Sequence, residues 1–273
     1  MVSVRALSAR QSVEIDPVAS HPPADAPLTL HPLRDIPMVQ AGDDLAALIS
    51  AALTRQEIGL RAGDVLVVAQ KVVSKAEGRL VRLADIAPSP AARNLAWEVE
   101  KDARLVELIL RESTAVVRKK PGILIVRHRL GLVMANAGID QSNVDHGEGE
   151  CALLLPHDPD ASARRLRNAL GGHVGVVVSD SMNRPWRLGS VGQAIGSAGI
   201  EVLDDRCGQH DLYGRDLKVT LINRADAIAA AAVLMMGETA EGVPAALVRG
   251  LPVDHRAGSA RDSVRPAADD LFL

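Results

Sequence analysis

Asp140, Asp180 and Glu238 each stand in a short polar run, and each offers a carboxylate where an apolar stretch stops or starts. Asp140 lies in Asn136-Ala137-Gly138-Ile139-Asp140-Gln141-Ser142-Asn143-Val144, with no lysine near it in sequence. Asp180 is flanked by Ser179 and Ser181 after the β-branched run Val176–Val178, and Glu238 lies in Gly237-Glu238-Thr239-Ala240-Glu241-Gly242. Carboxylate and hydroxyl oxygens suit hard divalent ions, Mg2+ or Mn2+. Cations accompany them. Lys71 and Lys75 follow the apolar run Val65–Val68, and Arg184 and Arg187 follow Asp180. The lysines could meet phosphates, but taken alone they fit solvated surface charge better. The arginines fit recognition of an acidic substrate or pairing with acids of the fold. A divalent-ion site beside cations points to phosphoryl chemistry. Other chemistries lack their signatures: there is no GxxxxGK[ST] loop, no His/Cys set with zinc spacing, and no GxSxG setting around Ser181. The residues alone describe a metal-dependent nucleotide or phosphate enzyme.

The chain has 273 residues, of which 47% are hydrophobic, enough for a sizeable core. Its aromatic residues are Trp97, Trp186, Tyr213 and Phe272, so Ala, Val, Leu and Ile must build that core. A base-stacking platform is excluded on the same ground. A net charge of −3 with no basic block argues against a nucleic acid partner. Cys151 and Cys207 form neither a CxxC pair nor a disulfide framework, as expected of a cytoplasmic protein. No apolar run reaches the length of a membrane span, and no apolar segment near the N-terminus suggests a secretory signal.

The elements that must position these residues follow from patterning. Residues 1–27, rich in proline and without period, are expected to be a flexible extension. Leu28–Leu33 reads as a strand that Pro32 pushes to an edge, and Ile36-Pro37-Met38-Val39 follows it. Asp43 or Asp44 should cap a helix running to about Leu53. Val65–Val68 is a buried strand, Ala91 to Glu112 one long helix, and Ile123–Val126 with Leu130–Ala135 a hairpin. Cys151–Leu155 is a short strand, and a helix starts at Asp160. Val176–Val178 is the central strand, after which a polar turn and a glycine-loosened helix are one reading of the stretch to Gly199. Gly199–Val202 is a further short strand, and Leu217–Ile222 is a strand or a helix start. Ala225–Met236 is a small-residue helix suited to close packing. Ala245–Val248 is a last buried strand, and from about residue 255 the tail is expected to be loose.

Four motifs in order, NAGIDQSNV, SDSMNRPWRLGSVGQAIG, DLYGR and GVPAALVRGL, resemble the coenzyme F420-0:L-glutamate ligase family, the gamma-glutamyl ligases, over about Leu28 to Leu251. The chain resembles the stand-alone form rather than the form fused to a nitroreductase-like domain. The resemblance implies an α/β fold with a mixed sheet and two intimately joined lobes within residues 28–254. It implies a GTP-dependent ligase that attaches L-glutamate to the lactyl carboxylate of F420-0 through an acyl phosphate, extends the tail by gamma linkages, and releases GDP and phosphate. Two divalent ions and potassium are implied, as is a homodimer. Carried over by motif, Asp140 and Asp180 hold one ion, and Ser181 and Glu238 the other; Asp140, Asp180 and Lys75 carry the chemistry. Nucleotide contacts fall to Ile36, Pro37, Met38, Val39, Gln70, Lys71, Lys75 and Asn143, and to the loop Met236, Gly237, Glu238, Thr239, Ala240, Glu241, Gly242 and Val243. The sequence departs from the family where Ser181 replaces the usual Thr, Asn183 the usual Gly, and Gln70-Lys71 a frequent Ser-Thr. The competing readings are a ligase for another carboxylate or amine, and a catalytically silent nucleotide-binding protein.

Overall fold

Val65-Leu66-Val67-Val68-Ala69 forms a strand (β2, Val65–Ala69) buried on both faces. Leu66 and Val68 enter one hydrophobic core and Val65 and Val67 another, the period-2 division a central strand requires. A computed structural model describes residues 27–147, 149–251 and 257–270. The expected extension lies outside the described residues except for Pro27.

The five-stranded main sheet has the order β1 (Thr29–Leu33), β12 (Ala245–Arg249), β2, β8 (Gly175–Asn183), β9 (Ser190–Ala198). Only β2 and β8 run parallel, so the fold is α/β with a mixed sheet, as the sequence implies. β1 is an edge strand, where Pro32 costs least. Helices α1 (Leu45–Arg55), capped by Asp44, and α5 (Pro159–Ala169), capped by Asp158, cover one face. Helix α6 (Arg224–Met236) covers the other. Its alanines come very close to β9: a Cβ on Gly192 would stand 2.6 Å from the Ala229 carbonyl oxygen. Helix α2 (Gln70–Ala76) continues directly from β2.

Smaller elements complete the chain. β3 (Leu80–Arg82) pairs with β7 (Cys151–Leu153). β4 (Ser113–Lys120), β5 (Ile123–His128) and β6 (Val133–Ala135) form a separate sheet over α3 (Pro90–Val99) and α4 (Ala103–Arg111). β10 (Leu203–Asp205) pairs with β11 (Leu221–Asn223). No helix among the described residues is long and apolar enough to cross a membrane.

Several expectations need correction. The helix expected over Ala91–Glu112 is two helices. Glu100 adopts a left-handed φ of 52° and Asp102 caps a new start, so α3 and α4 fold back and bury their apolar faces in one core. β4 was not anticipated, because its mostly exposed STAVVRKK sequence lacks a buried alternation. Ser190–Ala198 is a strand and not a helix; its glycines admit α6 and Pro159 closely rather than loosening a helix. The strand expected at Gly199–Val202 falls at β10. Residues 257–270, expected to be loose, are docked. Buried Asp160 accepts hydrogen bonds from the Ser197 and Ala260 N–H groups and from the Ser259 hydroxyl, and the Gly258 N–H donates to the Ile200 carbonyl. The need of a buried carboxylate for donors leaves no mark on a hydropathy pattern.

Glu112 ties the end of α4 to the end of β5 and to the segment between α2 and β3. It accepts from Arg79 at 2.9 Å and Arg129 at 3.1 Å, and the buried His128 ring lies 3.4 Å away. Burial alone would raise its pKa, but His128 and the two guanidiniums outweigh that and hold it at about 2. A depressed folded-state pKa adds stability that is present above the unfolded value and lost as pH falls through the folded one. Glu112→Gln is therefore expected to cost on the order of 2–3 kcal/mol at neutral pH. Urea unfolding should show that difference shrinking between pH 4.5 and 2; a difference independent of pH would rule out the ionic origin.

Candidate functional site

Strand register assembles one edge of the main sheet. Leu33, at the end of β1, pairs with Ala245, at the start of β12; Ala245 pairs with Val68; and Ala69 pairs with Ser179. The loop after β1 (Ile36 to Val39), the loop before β12 (Gly237 to Val243), helix α2 and the outer half of β8 therefore meet at the same end. The long β8 brings Asp180 there on the face of Val178 and Met182, while Ser181 takes the opposite face by alternation.

Asp140 arrives from the other direction. Its backbone pairs with Leu153, the last residue of β7, and the preceding turn is tightly wound: Asn136, Ala137 and Gly138 all have positive φ. A Cβ on Gly138, at φ 66°, would meet Leu155 and Met134 methyl groups at 2.9 Å, so glycine is favoured there by both backbone and packing. The Asp140 carboxylate accepts the Ser142 N–H at 2.7 Å and faces the Lys71 Nζ at 2.6 Å. The missing local lysine is thus supplied by α2. Lys71 also donates to the Ser142 hydroxyl at 3.0 Å, and Lys75, one turn on, donates to the Asn143 carbonyl at 2.7 Å. Asn143 in turn donates from Nδ2 to the Thr239 carbonyl at 2.8 Å. Helix α2, the 140–143 turn and the 237–242 loop are thereby linked in series.

The electrostatics are unbalanced. Burial would raise the Asp140 pKa, yet Lys71 and the Ser142 N–H hold it below the usual carboxylate range. Asp180 is pushed the other way, up to about 7. Burial contributes most, and the charges of Asp140 and Glu238 add to it, against the Ser181 N–H and Lys71. Lys75 is lowered, first by burial and then by Lys71. Among the described residues neither Asp180 nor Glu238 forms an ion pair.

Other candidates take different positions. Gln70 is buried and its side-chain oxygen accepts the Ser74 hydroxyl, so only its backbone is available at the edge. Met236, Val39 and Val243 bury their side chains in the core, whereas Pro37, Met38, Ala240 and Gly242 are exposed and Ile36 is partly so. Glu241 is engaged within its own loop by the Thr239 N–H and hydroxyl. Arg184 and Arg187 are exposed in the β8–β9 turn and form no ion pair with an acid among the described residues. Sequence reasoning assigned no role to Ser142; its place two residues after an Asp is the signal of an Asx-type turn.

The donor set fits hard divalent ions: oxygen atoms alone, anionic in excess, partly desolvated, with the repulsion that a cation relieves. Among the described residues no three His, Cys, Asp or Glu side chains already stand at ligand spacing. A cavity of about 710 Å3 lies at the opposite end of β2 and β8, around Asp64, Arg167, Gly175 and Gly199. Its acid is already neutralised, Asp64 being paired with Arg249 at 2.7 Å. The open edge with its surplus of carboxylates is therefore the stronger candidate.

The family model described as F420-0:Gamma-glutamyl ligase matches residues 34–250. Similar proteins are each called coenzyme F420:L-glutamate ligase. That of Methanothermobacter thermautotrophicus is 45% identical, over 90% of this chain and 98% of the relative. That of Methanopyrus kandleri is 46% identical, over 86% and 93%. That of Archaeoglobus fulgidus is 43% identical, over 88% and 94%.

The raised Asp180 pKa is a cost to folding that is absent below the unfolded value near 3.8 and complete above about 7. Asp180 retains some exposed surface, so water screens part of it, and the cost falls well below the ~4 kcal/mol of a fully desolvated group. Asp180→Asn should therefore stabilise the ion-free protein by about 1–2 kcal/mol at pH 8, about 2–6 °C in Tm, and far less at pH 4.5. An equal effect at both pH values in thermal melts would contradict this origin.

Proposed function

The chain belongs to the F420-0:gamma-glutamyl ligase family, and we propose that it joins L-glutamate to coenzyme F420-0 at the expense of GTP. It is a ligase of coenzyme F420 biosynthesis. The observation that carries the finer reading is the convergence of Asp140, Asp180 and Glu238 beside Lys71 and Lys75, at the edge where the 36–39 and 237–243 loops meet.

In this reading the lactyl carboxylate of F420-0 attacks the γ-phosphorus of GTP. A carboxylate oxygen–phosphorus bond forms, the bond to the β–γ bridging oxygen breaks, and GDP leaves. The glutamate amine then attacks the acyl carbon of the mixed anhydride. Phosphate departs with its oxygen, the amine loses a proton, and an amide remains. Repetition at the side-chain carboxylate gives gamma-linked tails. Asp140 and Asp180 would hold one divalent ion, Ser181 and Glu238 the other, on opposite faces of β8. Mg2+ or Mn2+ there supplies charge to offset that developing on the phosphate oxygens, with potassium as a further activating ion. Lys75 lends positive charge to the phosphates. Asn143 orders the 237–242 loop against the nucleotide. Arg184 and Arg187, free in the hairpin turn, suit the acidic substrates.

Residues 28–254 form the ligase domain in this reading, acting in the cytoplasm as a homodimer. Leu212, Tyr213, Val219, Leu221 and Leu234 are all at least half exposed on the β10–β11 arm and α6, a surface that a second copy would cover. Light scattering is expected to return a dimer for the native chain and a monomer for Leu212→Asp with Leu234→Asp. A monomeric native chain would remove the assembly.

The test of function is mass spectrometry of protein, F420-0, L-glutamate, GTP, Mn2+ and potassium. Increments of glutamyl mass that vanish without GTP are expected. GTP binding without increments would leave a silent nucleotide-binding protein, and increments only with another amine or acceptor would reassign the substrate. Folded Asp180→Ala should lose activity by several orders of magnitude; a near-native rate would sink the ion assignment.

A further inference from the structure

Lys71 is the one cation that touches a carboxylate of the site among the described residues. Its Nζ lies 2.6 Å from Asp140 Oδ2 and 3.0 Å from the Ser142 hydroxyl, while Lys75 spends its hydrogen bond on the neutral Asn143 carbonyl. Two oxygen donors around a compact positive charge, at the mouth of a cluster of acids, is the environment a bound cation would have. Lys71 is only partly exposed, and its four-carbon stem rises from the first turn of α2, whose backbone is fixed by β2. The ammonium can therefore leave Asp140 by side-chain rotation alone, without disturbing the sheet.

We propose that the Lys71 ammonium is a resident cation of the Asp140 position, standing in for one divalent ion in the nucleotide-free protein. The proposal rests on the reading of Asp140 and Asp180 as ion ligands. Both oxygens of Asp140 are engaged, Oδ1 by the Ser142 N–H and Oδ2 by Lys71, so an ion arriving there competes with the ammonium for the carboxylate and is repelled by its charge. The freed ammonium is then available to phosphate oxygens at the same edge. Lys71 is a positioning residue in this role. It orients Asp140 before the ion arrives, and it makes loading of that position compete with an internal ion pair. The Ser181 and Glu238 position, with no lysine on it, loads without such competition.

Mn2+ binding followed by electron paramagnetic resonance, without nucleotide, tests this in the full chain. The native protein should bind one Mn2+ readily and a second at least tenfold more weakly. Lys71→Met, close in length but uncharged, should tighten the second site at least tenfold, and Lys71→Arg should retain the native pattern. Circular dichroism confirms the folding of each variant, and Lys71→Ser serves if Lys71→Met misfolds. Equal Mn2+ affinities in native and uncharged variants, or weaker binding in the latter, would overturn the proposal and leave the ion ligands intact. No Mn2+ binding by any form, even with a non-hydrolysable GTP analogue, would remove the ion reading and this proposal with it.

Discussion

The parallel pairing of β2 with β8 governs the rest of the molecule. By setting Ala69 opposite Ser179, it places the start of α2 beside Asp180. A slip of one residue would turn Asp180 to the α6 face, away from Val178 and Met182, and would break the division of β2 between two cores. Because β12 is inserted antiparallel between β1 and β2, its incoming loop reaches the same edge as the outgoing ends of β1, β2 and β8. One register thus gathers segments that lie more than 200 residues apart in the chain.

On that scaffold the electrostatics divide the carboxylates into two kinds. Glu112 and Asp64 are surrounded by guanidiniums and serve the fold. Asp180 is crowded by burial and by like charges, and no ion pair relieves it among the described residues. Acids that remain uncompensated at a converging edge mark chemistry rather than stability. The same contrast explains why the cavity around Asp64, whose acid is neutralised, is the weaker candidate.

Much of this was legible in the sequence. The buried strands at Val65 and Val176, the alanine-rich helix before Gly237, and the acids at 140, 180 and 238 follow from short-range patterns, and the motifs identified the family. What remained hidden depends on partners distant in sequence or on local backbone sign. Lys71 meets Asp140 only because α2 and the 140–143 turn are packed together. Gln70 turns inward to Ser74, which no pattern of types reveals. The break at Glu100 rests on one left-handed residue, and the docking of residues 257–270 rests on the buried acceptor Asp160. β4 was missed because an exposed edge strand carries no hydrophobic alternation.

The insertion of β12 between β1 and β2 has a consequence for biosynthesis. β1 cannot join the sheet until β12 exists, and β12 ends at Arg249 of a 273-residue chain. Every residue up to β12 must be translated before the sheet can close, and during that interval β2 lacks its neighbour on the β12 side. Such non-local pairing makes folding slow and leaves an apolar strand edge open to association with other nascent chains. The protein's yield in a cell is thus tied to the speed of its own synthesis and to the chaperones that meet it at the ribosome.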